Sequence, residues 1–327
     1  MTEAFVDKNY VYAVARIRGE ETKLLTQSFL EQLISAKTAG ECMRLLQERG
    51  YGSGRREETA EELFLAERAK TWALMAELLP ELSVLDVFRL AKDYHNLKAA
   101  IKESTMQFDY PGIYSREGTI EPERIREAIR GRDYAALPEE MRESAERAHD
   151  VFLRTGDGQL CDVIVDRAAL MAVGRAGKRS RDAFLSLYAE LTVAAADIKM
   201  AVRGALTGKE RAFLEEALCP CDTLDLDLLM RAALNGTEAI AAYLTGTDYA
   251  DAVEALKASP AAFERWCDNL LIRQIRPQLS NPFGLGPLAA YVLARETEEK
   301  SLRILFAAKE NGFSEEIIRE RVRETYV

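Results

Sequence analysis

Two stretches place a lysine after a glycine, as a phosphate cradle would: Gly174-Arg-Ala-Gly177-Lys178-Arg179-Ser180 and Thr207-Gly208-Lys209-Glu210. A phosphate loop needs G-x-x-x-x-G-K-[ST] behind a strand, so that backbone amides and the hydroxyl are aimed at phosphate and Mg²⁺. Here Arg179 and Glu210 occupy the hydroxyl's place, and no strand pattern leads in. A basic helix start or linker is the plainer reading of both. Cys219-Pro-Cys221 with Asp222, Asp225 and Asp227 offers metal donors, but no second Cys or His pair stands at zinc-site spacing. Asp222 reads instead as the N-cap of a helix with acidic company in its first turn. His95 and His149 sit among helix-forming residues and read as surface or packing groups. There is no G-x-S-x-G elbow, no DDxxD and no HExxH. The expectation is a chain without catalytic, cofactor-binding or metal-binding residues.

The elements around these residues read as helices. Glu57 to Leu79 repeats Leu65, Ala69, Trp72, Ala76 and Leu79 at three- and four-residue steps, the period of an amphipathic helix. Ala, Leu, Glu, Lys and Arg fill most segments, and all are strong helix formers. Even the short Val-Ile-Val-Asp run at 163–166 is flanked by helical pattern and reads as helix. Thr38-Ala-Gly-Glu41 fits a capping box, Gly50 a helix stop, Thr237 and Ser314 N-caps, and Pro138 and Pro260 first helical positions. The expected helices are 8–18, 21–35, 39–48, 57–79, 84–103, 122–131, 138–154, 159–173, 178–206, 209–218, 225–235, 238–245, 248–258, 260–273, 287–311 and 315–325. Trp72 and Trp266 read as core anchors. The acidic pairs Glu57-Glu58, Glu61-Glu62 and Glu298-Glu299 read as solvated faces.

The chain has 327 residues, 48% of them hydrophobic and 30% charged, so it can bury a core without disulfides or metal. Its 44 basic and 54 acidic residues give a net charge of −10, which argues against a general nucleic-acid binder and leaves room only for a local basic patch. Five cysteines without framework spacing imply reduced thiols and a cytosolic home. The start MTEAFVDKNY shows no export signal. The uncharged stretch Pro277–Ala294 holds three prolines and three polar amide or hydroxyl residues, so it would not cross a bilayer as a helix.

Breaks at Asp109–Gly118, Gly204–Gly208 and Cys219–Cys221 divide the chain into units of roughly 100 residues. A weak similarity follows that spacing: Tyr94-His-Asn96-Leu-Lys, Ala195-Ala-Asp197-Ile-Lys and Glu299-Lys-Ser301-Leu-Arg. Each has a polar residue, an aliphatic and a base, with the polar residue at 96, 197 and 301. Such spacing implies three related bundles.

Three blocks then resemble one family. They are Tyr10-Val-Tyr-Ala-Val-Ala-Arg16-Ile-Arg18 with Glu21 and Leu24-Leu25, then Asp93-Tyr-His-Asn96-Leu-Lys98, and Gly286-Pro-Leu-Ala-Ala-Tyr291. Glu296, Arg303, Lys309-Glu-Asn-Gly312, Ile318-Arg319 and Tyr326-Val327 extend the last block. Order and spacing resemble the C subunits of bacterial and archaeal V-type (A-type) ATPases, the family of the d subunit of the eukaryotic V-ATPase. Two departures stand out. Where the family shows D-x-x-N before the second base, this chain has Ala194 and Asp197, and its third Asn is Ser301. A helix-packing role for these side chains fits such substitution.

The resemblance implies an all-α funnel of three similar helical bundles, at residues 1–110, 111–208 and 209–327. It implies a non-catalytic central-stalk subunit seated between the central shaft subunits D and F and the membrane proteolipid ring. Such a subunit lies on the cytoplasmic side of the membrane and couples ATP chemistry to H⁺ or Na⁺ transport. Within the uncharged Asn281–Pro287 loop, Phe283 and Leu285 are the candidate partner contacts. A helical-repeat scaffold for signalling partners is the alternative, and an all-α enzyme a weaker one.

Overall fold

The computed structural model describes residues 10–55, 57–106 and 112–327. Among them the chain forms sixteen α-helices and no strand. The N-terminal stretch 1–9 lies outside the described residues, as do the first three residues of the Asp109–Gly118 break and the expected bundle boundary at 110.

Two compact units form. The first joins both ends of the sequence: the residues up to Leu82 and the segment Asp251–Val327. It holds α1 (Val11–Glu21), α2 (Gln27–Ser35), α3 (Ala39–Glu48) and α4 (Ala60–Leu78) from the early part. From the late part come α13 (Ala252–Ala258), α14 (Pro260–Ile275), α15 (Gly286–Glu310) and α16 (Glu315–Arg321). Helix α15 is its axis, packing against α1, α3, α4, α14 and α16. The core packs Leu33, Ile34, Leu46, Leu63 and Phe64 against Leu302, Leu305 and Phe306. Burying each large aliphatic contributes roughly 1.5–3 kcal/mol, so the early helices depend on the late one.

The second unit, Ser83–Ala250, is continuous. It contains α5 (Leu90–Met106), α6 (Pro122–Gly131), α7 (Glu139–Thr155), α8 (Gly158–Ser180), α9 (Ala183–Leu206), α10 (Arg211–Ala217), α11 (Leu226–Leu234) and α12 (Thr237–Leu244). Leu97, Ile101, Ile125, Ile129, Ala145, Ala148, Cys161 and Val165 meet in its core.

Side-chain caps set the start of about half the helices. Thr38 accepts the Glu41 amide and α3 runs over 39–48 as expected. Thr59 and Glu62 form a complete capping box on α4, so the helix begins at Ala60, three residues inside the expected start at Glu57. Asp157 and Asp182 cap α8 and α9, and Ser314 caps α16. Other expectations shift. Helix α2 starts only at Gln27, behind the Thr26 cap, because Thr22–Leu25 is a turn. Pro138 is the N-cap residue of α7 rather than its first helical one. Gly236, with φ 101°, precedes α12, so Thr237 is its first residue. Helix α8 runs through to Ser180, and Arg181 at φ 56° then breaks the chain.

Helix α4 corrects the expected apolar face. Its buried residues are Leu63, Phe64, Thr71, Met75 and Leu78, whereas Leu65 is 49% exposed and Ala69 and Ala76 face outward. Leucine and alanine occur all round this helix, so spacing alone selects a stripe one residue out of phase. The acidic pairs need correction too. Glu58 and Glu298 are buried, each accepting a backbone amide, from Ser53 and Leu25 respectively.

Candidate functional site

The candidate phosphate loops are not loops around phosphate. Gly174–Ser180 lies inside α8, where amides bond along the helix and none is free to meet an anion. Gly177 is there for packing. A Cβ at this position would stand 2.4 Å from the Ala189 Cβ and 3.0 Å from the Leu185 carbonyl. Lys178 pairs with Asp222 at 2.9 Å. Lys209 follows the turn after α9, donates to Gln159 Oε1 at 2.6 Å and covers the Phe213 ring.

Asp222 is not a cap. Asp225 accepts the Leu228 amide at 3.0 Å and starts α11. Cys219 is buried and Cys221 partly so, and burial pushes the Cys219 thiol up to about 12. His149 is buried, with Ser104 at Nε2 (3.1 Å) and Tyr134 at Nδ1 (3.0 Å), and burial lowers its pKa. Both ring nitrogens are used, as a packing histidine requires. His95 Nε2 meets the Ile113 carbonyl at 2.8 Å. Trp266 is a core anchor that donates to Asp251 and stacks on Phe263, while Trp72 is only partly buried.

The polar residues at 96, 197 and 301 share a bonding pattern. All three are buried in long helices: Asn96 in α5, Asp197 in α9, Ser301 in α15. Asn96 holds Ser115 by both backbone groups, accepting its amide and donating to its carbonyl, each at 2.8 Å. Asp197 Oδ1 accepts the Cys219 amide at 2.9 Å. Ser301 Oγ accepts the Arg323 amide at 3.1 Å. The held residue lies 19, 22 and 22 positions downstream. These side chains therefore do more than fill space between helices. They tie a later, extended segment to the helix core.

The later two cases match in register. Helix α9 ends at 206 and α15 at 310; the next helices are 211–217 and 315–321; the held amides are 219 and 323. Each of these numbers exceeds its counterpart by 104, as 301 exceeds 197.

The position three residues earlier explains the departure at Ala194. Asp93 accepts the Thr119 amide and hydroxyl and the Ile120 amide, at 2.7–3.1 Å, and burial raises its pKa. A Cβ on Gly118 would stand 2.1 Å from that carboxylate, so this glycine lets the loop approach. With Ala194 unable to accept, Glu190 one turn earlier takes over. Its Oε1 accepts the Asp222 amide and both the amide and hydroxyl of Thr223, at 2.7–2.8 Å.

In the first unit the position is Glu298. It accepts the Leu25 amide and pairs with Arg295 at 2.7 Å. Arg295 also pairs with Glu67, and its guanidinium carbon lies 5.2 Å from the Tyr51 ring centre. Burial pushes Glu298 up to about 7, against the pull of Arg295. No motif marks this cluster; only the fold turns Glu298 inward.

The two candidate contact residues part company. Phe283 is 43% exposed, whereas Leu285 is buried, because it is the N-cap residue of α15 and already turned helical. Among the described residues, no helix is long and apolar enough to cross a membrane.

Comparison with known proteins gives these features a setting. The C subunit of the V-type sodium ATPase of Enterococcus hirae is 24% identical over 319 residues, covering 95% of this chain and 97% of the relative. The C subunit of the A-type ATP synthase of Thermococcus kodakarensis is 24% identical over 340 residues, covering 96% and 90%. The C subunit of the V-type ATP synthase of Thermus thermophilus is 26% identical over 313 residues, covering 91% and 93%. The profile described as ATP synthase (C/AC39) subunit matches residues 13–321, nearly the whole length, and the chain belongs to that family.

Proposed function

We propose that this protein is the non-catalytic central-stalk subunit of a rotary V/A-type ATPase, with the d subunit of the eukaryotic V-ATPase as kin. It seats the central shaft subunits D and F on the membrane proteolipid ring and carries torque between ATP chemistry and H⁺ or Na⁺ transport. It works on the cytoplasmic side of the membrane, held there by its partners. The observation that carries this reading is the family match across residues 13–321, with relatives named as C subunits along 90% or more of their length.

Three bundles, 1–110, 111–208 and 209–327, make up the proposed funnel. The recurring tie at Asn96, Asp197 and Ser301 supports them, and so does the 104-residue register. A membrane potential does about 2.3 kcal/mol of work per elementary charge per 100 mV. That work is lost if ring and shaft slip, so the joint must be broad and stiff. Packed helices deform little, and ties from helix core to extended segments stiffen the parts between helices. Phe283 is the contact candidate; Leu285 braces its loop from inside.

Membranes stripped of the protein should keep ATP hydrolysis by the soluble head and lose ATP-driven ion pumping. Adding the chain back should restore pumping. Phe283→Ala should weaken that rebinding without lowering thermal stability. Normal pumping by fully stripped membranes would refute the coupling role.

A further inference from the structure

Asp197 differs from its counterparts in one respect. Asn96 makes two bonds to Ser115, one as acceptor and one as donor. Ser301 is a small hydroxyl that is its own donor and acceptor. Asp197 Oδ1 accepts the Cys219 amide, but its Oδ2 is buried with no hydrogen-bond partner. An ionised carboxylate oxygen left dry and unbonded is costly, and a neutral acid is the cheaper form in such a place. Among the described residues, two side-chain charges act on it, Arg167 of α8 and Glu190 of α9 itself. Arg167 is occupied elsewhere, donating from Nε to the Leu218 carbonyl at 2.9 Å, and Glu190 carries the same sign as the carboxylate. The Cys219 and Cys221 thiols face it from the segment between α10 and α11 and stay protonated, since burial raises both. Burial likewise lifts Asp197 to about 7.

We propose that Asp197 is a proton-operated clasp. As the neutral acid, its Oδ2–H donates to the Cys219 carbonyl and completes the two-bond hold that Asn96 has on Ser115. As the carboxylate, it repels that carbonyl and loosens its hold on Cys219, while Glu190 keeps Asp222 and Thr223 in place. The proton goes to solvent when the clasp opens and returns from solvent when it closes. Asparagine here would hold the segment at every pH.

Linkage sets the sign. A carboxyl whose folded pKa is raised supports the folded state fully below its unfolded value near 3.8, and that support is lost as pH rises through about 7. Backbone hydrogen exchange on the whole chain, as protection factors at about pH 5.5 and pH 8.5, reads the clasp directly. In the wild type, protection of the Cys219 amide should fall at least about tenfold between those values. In Asp197→Asn it should stay level, and the Ser115 amide should stay level in both. Infrared difference spectra of wild type minus Asp197→Asn should also show a carboxylic-acid carbonyl band at the lower pH that fades at the higher. Equal pH dependence at Cys219 in the two proteins would overturn the proposal, and so would the lack of that acid band.

Discussion

Arg295→Met is expected to lower the unfolding free energy by about 3–5 kcal/mol in urea titrations near pH 8. The guanidinium lies between Glu67 and Glu298, all three largely buried. Methionine fills much of the space but leaves the buried Glu298 carboxylate without a cation, whereas Glu67 keeps Lys70 at 2.7 Å. Stranding a buried charge costs more than the net worth of the pair, because the desolvation penalty remains when the attraction is gone. The variant should also bend the pH profile. Glu298 has a folded pKa raised to about 7 from an ordinary 4.5, so its support is complete below about 4.5 and lost as pH rises through 7. Removing Arg295 takes away the attraction that holds this pKa down. The variant's deficit should therefore shrink toward pH 5, where the acid form is neutral. Adding Glu298→Gln should recover part of the loss at pH 8. A deficit equal at both pH values would show that packing, not charge, is what Arg295 supplies.

Gly177→Ala should cost about 1–3 kcal/mol, although alanine is the better helix former by about 1 kcal/mol. The new methyl would stand 2.4 Å from the Ala189 Cβ, where α8 meets α9, and the Leu185 carbonyl blocks retreat at 3.0 Å. Pairing it with Ala189→Gly removes the clash at one of the two points. The double variant should then be more stable than the sum of the single changes, by roughly 1 kcal/mol in a mutant cycle. Strict additivity would mean that the helices simply move apart. Any such change should leave Lys178 and Asp222 paired, since both lie on the solvent side of this contact.

Much of the helical plan was legible in the residues. Helices α3 and α6 fall on the expected positions because Thr38 and Pro122 are local start signals, and a helix end is decided within one turn. The spacing of Asn96, Asp197 and Ser301 was also visible. Their partners were not, because a bond to an amide about twenty residues on depends on the loop's path. Helix α4 shows a second limit. When apolar residues surround a helix, period alone cannot say which stripe the neighbours cover. Glu298 shows a third. It sits beside Glu299 in a run that looks solvated, yet Glu298 meets the Leu25 amide and Glu299 lies between Arg68 and Arg303. For the same reason Arg295, flanked by unremarkable helix formers, gave no sign of its place at the centre of a charge cluster.

The first unit draws on both ends of the sequence, so its two halves are synthesised far apart in time. Chains emerge from the ribosome from the N-terminus, and domains generally fold as units as they appear. Helices α1 to α4 leave first but have no α15 to bury against until more than 200 further residues have been made. The intervening unit, Ser83–Ala250, is complete long before that and can close by itself. The order of folding is then the reverse of the order of translation, and the apolar faces of the early helices stay open in the interval. Premature termination between Ala250 and α15 should yield a chain with one finished unit and one that chaperones or proteases recognise as unfolded.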